Sequence, residues 1–302
     1  MRNNHRDKFV LSPILDILQD AVNACVGIGK GIETHSLCEY VLQTTFLKMT
    51  GMSEQKLKCI CWEMATNDYD YRYHYLKKNY GECSSYADKC SIYRDILRAI
   101  IGMDSTFKVD FLFEDVDITD KEKKTIDQKI LENITKQESE LNRRLTSQEI
   151  EKLTNGMKAH YANNGLCDKE QLHLKRVALL EDILSKIKTI INDSLMAFWE
   201  QHNYLDYLTN WKNLSNMDFV KGEVLFCKDL QDYYTEIVYA HRNRCAHNLA
   251  SLQNNLPTFK TISEDRFIYD NYFFRFSILT LLDEIFIRIY RKYAELIKSS
   301  KV

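Results

Sequence analysis

The near absence of helix-breaking residues constrains the fold of this chain more than any other feature. Only two prolines, Pro13 and Pro257, and nine glycines occur in 302 residues. Proline cannot donate the backbone hydrogen bond of a helix interior, and glycine costs about 1 kcal/mol there relative to alanine. A chain that avoids both can form long, uninterrupted helices. The sequence therefore predicts an all-α protein, a helical bundle with long antiparallel helices.

The composition indicates a folded protein that neither spans a membrane nor carries a strong net charge. Hydrophobic residues make up 45% of the chain, charged residues 28%, and the net charge is −2. Nucleic acid would therefore have to be attracted by a local positive patch. No run of eighteen apolar residues occurs, and the N-terminus lacks the apolar core of a signal peptide. Nine cysteines without regular spacing are typical of reduced thiols, so we expect a cytoplasmic protein.

Three regions are predicted along the chain: an N-terminal helical region (1–103), a charged connecting region (104–167) and a helical bundle (168–302). Whether residues 1–103 form a separate domain or extra helices of one bundle is left open. Apolar residues alternate with others near 107–113, which predicts a short strand there. The charge-rich run from 114 to 164 predicts exposed helices, as a solvated face or as a gate for a substrate or partner.

Apolar residues at helical spacing predict the individual helices. Their expected spans are Phe9–Val26, Ser36–Met49, Ser53–Thr66 with Ser53 as N-cap, Tyr86–Ile101, Lys169–Glu200 and Tyr269–Lys298. The glycines between 27 and 31 predict a break between helices, because they do not fit a phosphate-binding loop. The apolar stripes Val177–Phe198 and Leu279–Leu296 belong either to the core of the chain or to an interface between two copies.

A polar motif, Arg242-Asn243 followed by His247, lies in a run from 223 to 256 that contains no glycine or proline and predicts one helix. At roughly 100° per residue, Asn243 and His247 share a face one turn apart, and the long Arg242 side chain can reach back towards it. A planar cation can hold a phosphodiester while an imidazole moves a proton. The alternative is an Arg and a His that only cap or pair on a helix surface.

At these residues the chain resembles the HEPN superfamily of all-helical proteins. Its ribonuclease members carry Arg, four to six residues and then His, commonly with Asn or another polar residue just after the Arg. The resemblance covers the motif and, loosely, the helical C-terminal half. It implies a metal-independent endoribonuclease that needs no cofactor, and it implies a toxin or an abortive-infection (anti-phage) effector, with tRNA as a candidate substrate.

The resemblance also implies roles for the motif residues. His247 would act as general base or acid at the ribose 2′-hydroxyl, Arg242 would neutralise charge on the phosphorane, and Asn243 would orient His247 or the phosphate. It further implies a homodimer and an antitoxin or defence-system partner. In toxins paired with nucleotidyltransferase antitoxins a Tyr stands two residues after the His. Here that position is Leu249, so regulation through such a tyrosine is not expected.

A second group of residues is predicted to contact RNA. Residues 68–80 hold five tyrosines among basic side chains, a combination that could stack bases and bind phosphates. The predicted contacts are Tyr71, Arg72, Tyr73, Lys77 and Lys78, with His241 and Arg244 beside the motif. The alternative is an ordinary helical stripe of tyrosines. Two other functions are kept open: a HEPN-like module that binds nucleotide or RNA without cleavage, and a helical adaptor in a defence complex.

Overall fold

The computed structural model describes residues 4–28, 35–77, 83–192, 218–247 and 272–300. The protein is all-α with one small two-stranded sheet, in agreement with the predicted fold class. No helix in these ranges is long and apolar enough to cross a membrane. Residues 248–256 of the predicted motif helix, residues 193–200 of the predicted Lys169–Glu200 helix, and Lys78 lie outside the described residues.

The elements follow one another with short connections in the described parts of the chain. The helices before the sheet are α1 (Asn4–Leu11), α2 (Leu15–Ala24), α3 (His35–Asn67), α4 (Tyr69–Lys77), α5 (Tyr86–Met103), a 3₁₀ turn (Val109–Phe113), α6 (Thr119–Leu141), α7 (Ser147–Asn164) and α8 (Asp168–Asn192). The hairpin β1 (Phe219–Lys221) and β2 (Val224–Phe226) comes next. It is followed by α9 (Lys228–Tyr233), a π-helical segment (Tyr234–Tyr239), α10 (Ala240–His247) and α11 (Tyr272–Ser299).

Two helix boundaries in the N-terminal part differ from the prediction. The predicted helices Ser36–Met49 and Ser53–Thr66 are one continuous helix, α3, and Ser53 is buried inside it instead of capping its start. Gly51 lies within this helix, because one interior glycine costs only about 1 kcal/mol, which tertiary packing can offset. The predicted helix Phe9–Val26 is instead divided into α1 and α2 around Pro13, since proline disfavours helical torsions in the residue before it.

The predicted strand near 107–113 is wrong, because Val109–Phe113 forms a 3₁₀ turn. The consecutive residues Leu112 and Phe113 are both buried, whereas Phe111 is exposed. Burial therefore does not alternate with a period of two, as it would in a strand with one solvated face.

The β-hairpin was not predicted and replaces the start of the expected motif helix. Phe219 pairs with Phe226 and Lys221 with Val224, which leaves a two-residue turn whose first residue, Gly222, has a φ of +57°. Two-residue hairpin turns require such a positive φ, which glycine adopts without strain. The hairpin is fastened to α5, where the Tyr93 hydroxyl donates to the carbonyl of Gly222 at 2.8 Å.

The described chain divides into two compact units. One comprises Met1–Leu112 and Leu180–Val302, and the other comprises Phe113–Leu179. Residues 1–103 therefore share a compact unit with residues 180–302, whereas residues 168–179 of the predicted bundle fall in the other unit. The second unit overlaps most of the predicted connecting region, and its helices α6 and α7 are largely exposed, as the charge-rich sequence predicts.

Helix α11 is the centre of the first unit. Its residues from Tyr272 to Asp283 are all buried, and it packs against α1, α3 and α5. A helical stretch that is covered on every side lies inside the protein. The apolar stripe of α11 therefore belongs to the core of the chain and not to an interface between copies. The α8 residues Ile183, Ile187 and Ile191 are likewise buried within the single chain.

A buried ion pair joins α3 to α11. Lys56 and Asp283 lie 2.6 Å apart with side chains only 2% and 4% exposed. Lys56 also donates to the carbonyl of Ser12, and Asp283 accepts from the backbone of Ile14 at 2.9 Å. Burial lowers the pKa of Lys56 and raises the pKa of Asp283 to about 6. This cluster fixes the connection between α1 and α2 to the core.

Candidate active site

The motif lies at the end of an irregular helical run. The π-helical segment Tyr234–Tyr239 leads directly into α10, and Tyr234 and Val238 anchor it in the core. Its hydrogen bonds run from i to i+5, so this segment rotates the side chains of α10 about the helix axis relative to a regular α-helix. Such segments are rare and are frequently found at functional sites.

The guanidinium of Arg242 is held by two side chains. It donates to Oδ1 of Asn243 at 3.2 Å and to Oε2 of Glu54 at 3.3 Å, and 23% of its side chain remains exposed. The contact with Asn243 confirms that the Arg242 side chain reaches the neighbouring residue of the motif. An arginine has five N–H donors, so those not used in these two bonds can bind a further acceptor.

His247 is the last residue of α10, one helical turn after Asn243. Its side chain lies outside the described part of the structure. The backbone nevertheless confirms the predicted helical spacing of the two residues, because Ala240–His247 is continuous helix.

Glu54 is a neighbour of Arg242 that the sequence did not reveal. It belongs to α3, 188 positions before Arg242, and is only 9% exposed. A carboxylate beside a guanidinium fixes both the charge and the plane of the cation. No local pattern links residues this far apart, so only the packing of α3 against α10 brings them together.

A second cation, Lys89 of α5, lies deep beside this pair. Its ammonium donates to the carbonyls of Cys83 at 2.6 Å and Ser84 at 3.1 Å. Burial lowers the pKa of Lys89 to about 8, Glu54 opposes this shift, and Arg242 adds to it. The cavity that Lys89 and Arg242 border measures about 10 Å³, which is about the space of one water molecule. Lys89 is therefore a structural cation with no access for RNA.

His241 is buried, which contradicts its predicted contact with RNA. Its ring lies between Phe46 and Tyr272, with Nε2 3.2 Å from the Tyr272 hydroxyl and 3.4 Å from Sγ of Cys245. Burial, with smaller effects from Arg275 and Arg244, lowers the pKa of His241 to about 2. The imidazole is therefore neutral at physiological pH and packs in the core.

The other predicted RNA contacts that lie in the described part of the chain remain accessible, apart from one that is partly buried. Arg244 is exposed on α10, and Arg72, Tyr73 and Lys77 are exposed on α4. Lys77 lies 4.0 Å above the ring of Tyr73 and donates to its hydroxyl, while Tyr71 is half-buried and stacked on Tyr75. These positions fit both an RNA platform and an ordinary tyrosine surface, so the RNA contact stays a prediction.

No three His, Cys, Asp or Glu side chains in the described ranges are grouped as a metal site requires, so no metal ligand is assigned there. No family profile matches the chain, and comparisons with curated proteins and with solved structures found no significant match. The resemblance to HEPN proteins therefore depends on the motif and on the all-α fold that carries it.

Proposed function

We propose that this protein is a metal-independent endoribonuclease of the HEPN type that acts through Arg242, Asn243 and His247. One observation carries the proposal. The Arg242 guanidinium lies against Asn243 at a partly open position on α10, and His247 follows one turn later on the same helix. A planar cation and an imidazole are thereby combined on one short element.

The reaction would be a transesterification within the RNA. His247 takes the proton of the ribose 2′-hydroxyl, the 2′-oxygen attacks the adjacent phosphorus, and the bond to the 5′-oxygen breaks. The leaving 5′-oxygen receives a proton from a general acid, the role of the second His247 in a homodimer. The products are a 2′,3′-cyclic phosphate and a 5′-hydroxyl end. The N–H donors of Arg242 that are not bound to Asn243 or Glu54 stabilise the charge on the phosphorane, while these two residues hold the guanidinium in place. DNA lacks the 2′-hydroxyl and would not be cleaved.

The proposed biological role is that of a cytoplasmic toxin or abortive-infection effector, with tRNA as a candidate substrate and an antitoxin or defence-system partner as its restraint. This part rests on the family that the motif resembles.

The proposal includes a homodimer. Transesterification profits from a base at the 2′-hydroxyl and an acid at the leaving oxygen, but the chain carries one motif. A two-fold axis would bring a second His247 to the same cleft. Because the apolar stripe of α11 is buried in the chain, the interface has to use other surfaces.

A non-catalytic module is the second candidate, and the ion pair between Arg242 and Glu54 favours it. A partly buried arginine in such a pair can serve packing alone. In that case Arg242→Ala would lower the melting temperature, and the wild-type protein would bind RNA without cutting it.

RNA cleavage is expected to survive an excess of EDTA and to leave 2′,3′-cyclic phosphate ends, because the nucleophile is supplied by the substrate itself. The measurement is gel analysis of cleaved RNA with chemical mapping of the ends, with and without EDTA. Activity that disappears in EDTA and returns with Mg²⁺ would place the protein in another class of nuclease.

Glu54→Gln is expected to lower the cleavage rate by about 10-fold without unfolding the protein, because a neutral amide orients the Arg242 guanidinium less firmly. The rate is measured under single-turnover conditions. Glu284→Gln is the matched control, since Glu284 pairs with Arg288 on α11. Faster cleavage in Glu54→Gln would mean that Glu54 restrains Arg242 and does not position it.

A further inference from the structure

A groove of about 680 Å³ lies beside α4, α5 and α11 and shares no lining residue with the surroundings of Arg242. Its apolar lining includes Met64, Ala99 and Tyr293. Volumes of roughly 300–1,000 Å³ are typical of sites that bind small molecules. All of its lining residues belong to the first compact unit, so the groove is a property of that unit alone.

Carboxylates dominate the charge of this groove. Asp68, Asp70 and Asp95 line it, together with the basic side chains His74 and Arg98. The guanidinium of Arg98 is bound to both oxygens of the Glu223 carboxylate, at 3.3 Å and 3.1 Å, and Asp95 is a second, weaker charge partner of Arg98. Three carboxylates against this one guanidinium still leave the groove acidic. The carboxylates would repel a phosphate and attract a cation, so this groove disfavours the RNA contact that was predicted for Tyr71, which lines it.

Aromatic and apolar surfaces lie between these carboxylates. Tyr69 is 76% exposed and Tyr71 lines the same groove, and the face of a tyrosine ring attracts ammonium groups. At Gly102 of α5, an added Cβ would meet no atom within 4 Å. The groove is therefore open at this point, and a large side chain placed there would fill it.

We propose that this groove binds a small organic cation of the polyamine class, in which ammonium groups are separated by methylene chains. The ammonium groups would pair with the three aspartates, and the methylenes would cover the apolar lining. A polyamine carries separated ammonium groups on an apolar chain, and the groove carries separated carboxylates around an apolar lining. The binding does not depend on the proposed ribonuclease activity, because the groove and the motif are built from different residues.

The test is calorimetric titration of the full-length protein with spermidine in the absence of RNA. An ionic strength of about 0.15 M suppresses long-range attraction by surface charge. We expect saturable binding by the wild type. The Asp70→Asn/Asp95→Asn variant should bind at least about 10-fold more weakly, because each substitution removes a carboxylate that would pair with an ammonium group. Gly102→Trp should abolish binding and Gly102→Ala should leave it unchanged.

Asp120→Asn/Asp127→Asn, which removes two exposed carboxylates of α6, is the charge-matched control and should bind as the wild type does. Circular dichroism confirms that each variant is folded. Absence of saturable binding in the wild type would overturn the proposal, as would equal weakening in the control, which would indicate diffuse surface attraction. Binding of a basic amphipathic peptide that Gly102→Trp abolishes, without spermidine binding, would also overturn it and assign the groove to a protein partner.

Discussion

Replacing His247 with alanine is expected to lower the rate of RNA cleavage by about 10²-fold or more, the usual scale for losing a general acid or base. The fold should persist, because the core of this run is formed by residues such as Val238 and Cys245. Single-turnover cleavage and a thermal melt measure the two effects separately.

His160→Ala is the matched control, because His160 is an exposed histidine on α7 in the second unit. It should cleave at the wild-type rate. Mixed dimers of wild type and His247→Ala test the assembly, since a shared cleft predicts that one altered subunit impairs the whole dimer. An unimpaired rate in His247→Ala would refute the assignment of this residue, and full activity in the mixed dimers would refute the shared cleft.

Lys56→Met is expected to lower the free energy of unfolding by about 3–5 kcal/mol, because it leaves the Asp283 carboxylate buried without a cation. Methionine keeps most of the volume, so the lost charge causes the effect. Chemical denaturation measures it. Lys48→Met, on the exposed face of the same helix, should change stability by no more than about 0.5 kcal/mol.

The destabilisation by Lys56→Met should shrink at acid pH. The pKa of Asp283 is already raised to about 6 in the folded protein, against about 3.9 for an unfolded aspartate, and loss of Lys56 removes the cation that opposes this shift. The folded variant therefore binds a proton more tightly than the unfolded chain, and its stability should rise relative to that of the wild type as the pH falls from 7 towards about 6. Below about 6 the wild-type Asp283 is protonated as well, so the difference should then stay constant. A pH-independent loss would contradict this explanation.

The helical class was predictable because it depends on a global property, the scarcity of proline and glycine. Helix ends were less predictable where tertiary packing decided them, as at Gly51 within α3. The hairpin had a local signal that the prediction did not use, a glycine between two short runs rich in apolar residues, 219–221 and 224–226. The turn was missed because the run from 223 to 256 was predicted as one helix and its start was not tested for a strand.

The candidate site was predictable only in its local part. The spacing of Asn243 and His247 follows from helix geometry alone, whereas the pairing of Arg242 with Glu54 depends on how α3 meets α10. The burial of His241 had a usable signal. Tyr234, Val238, His241 and Cys245 recur at helical spacing and form one buried stripe, which distinguishes His241 from the exposed Arg244.

The central claim is tested most directly by incubating the purified protein with total tRNA and mapping the ends of any fragments, in parallel with Arg242→Ala. The account predicts discrete fragments with 2′,3′-cyclic phosphate ends from the wild type and intact tRNA from the equally folded variant. Intact tRNA and other cellular RNA in the wild-type reaction, or the same cuts at the same rate by Arg242→Ala, would contradict it.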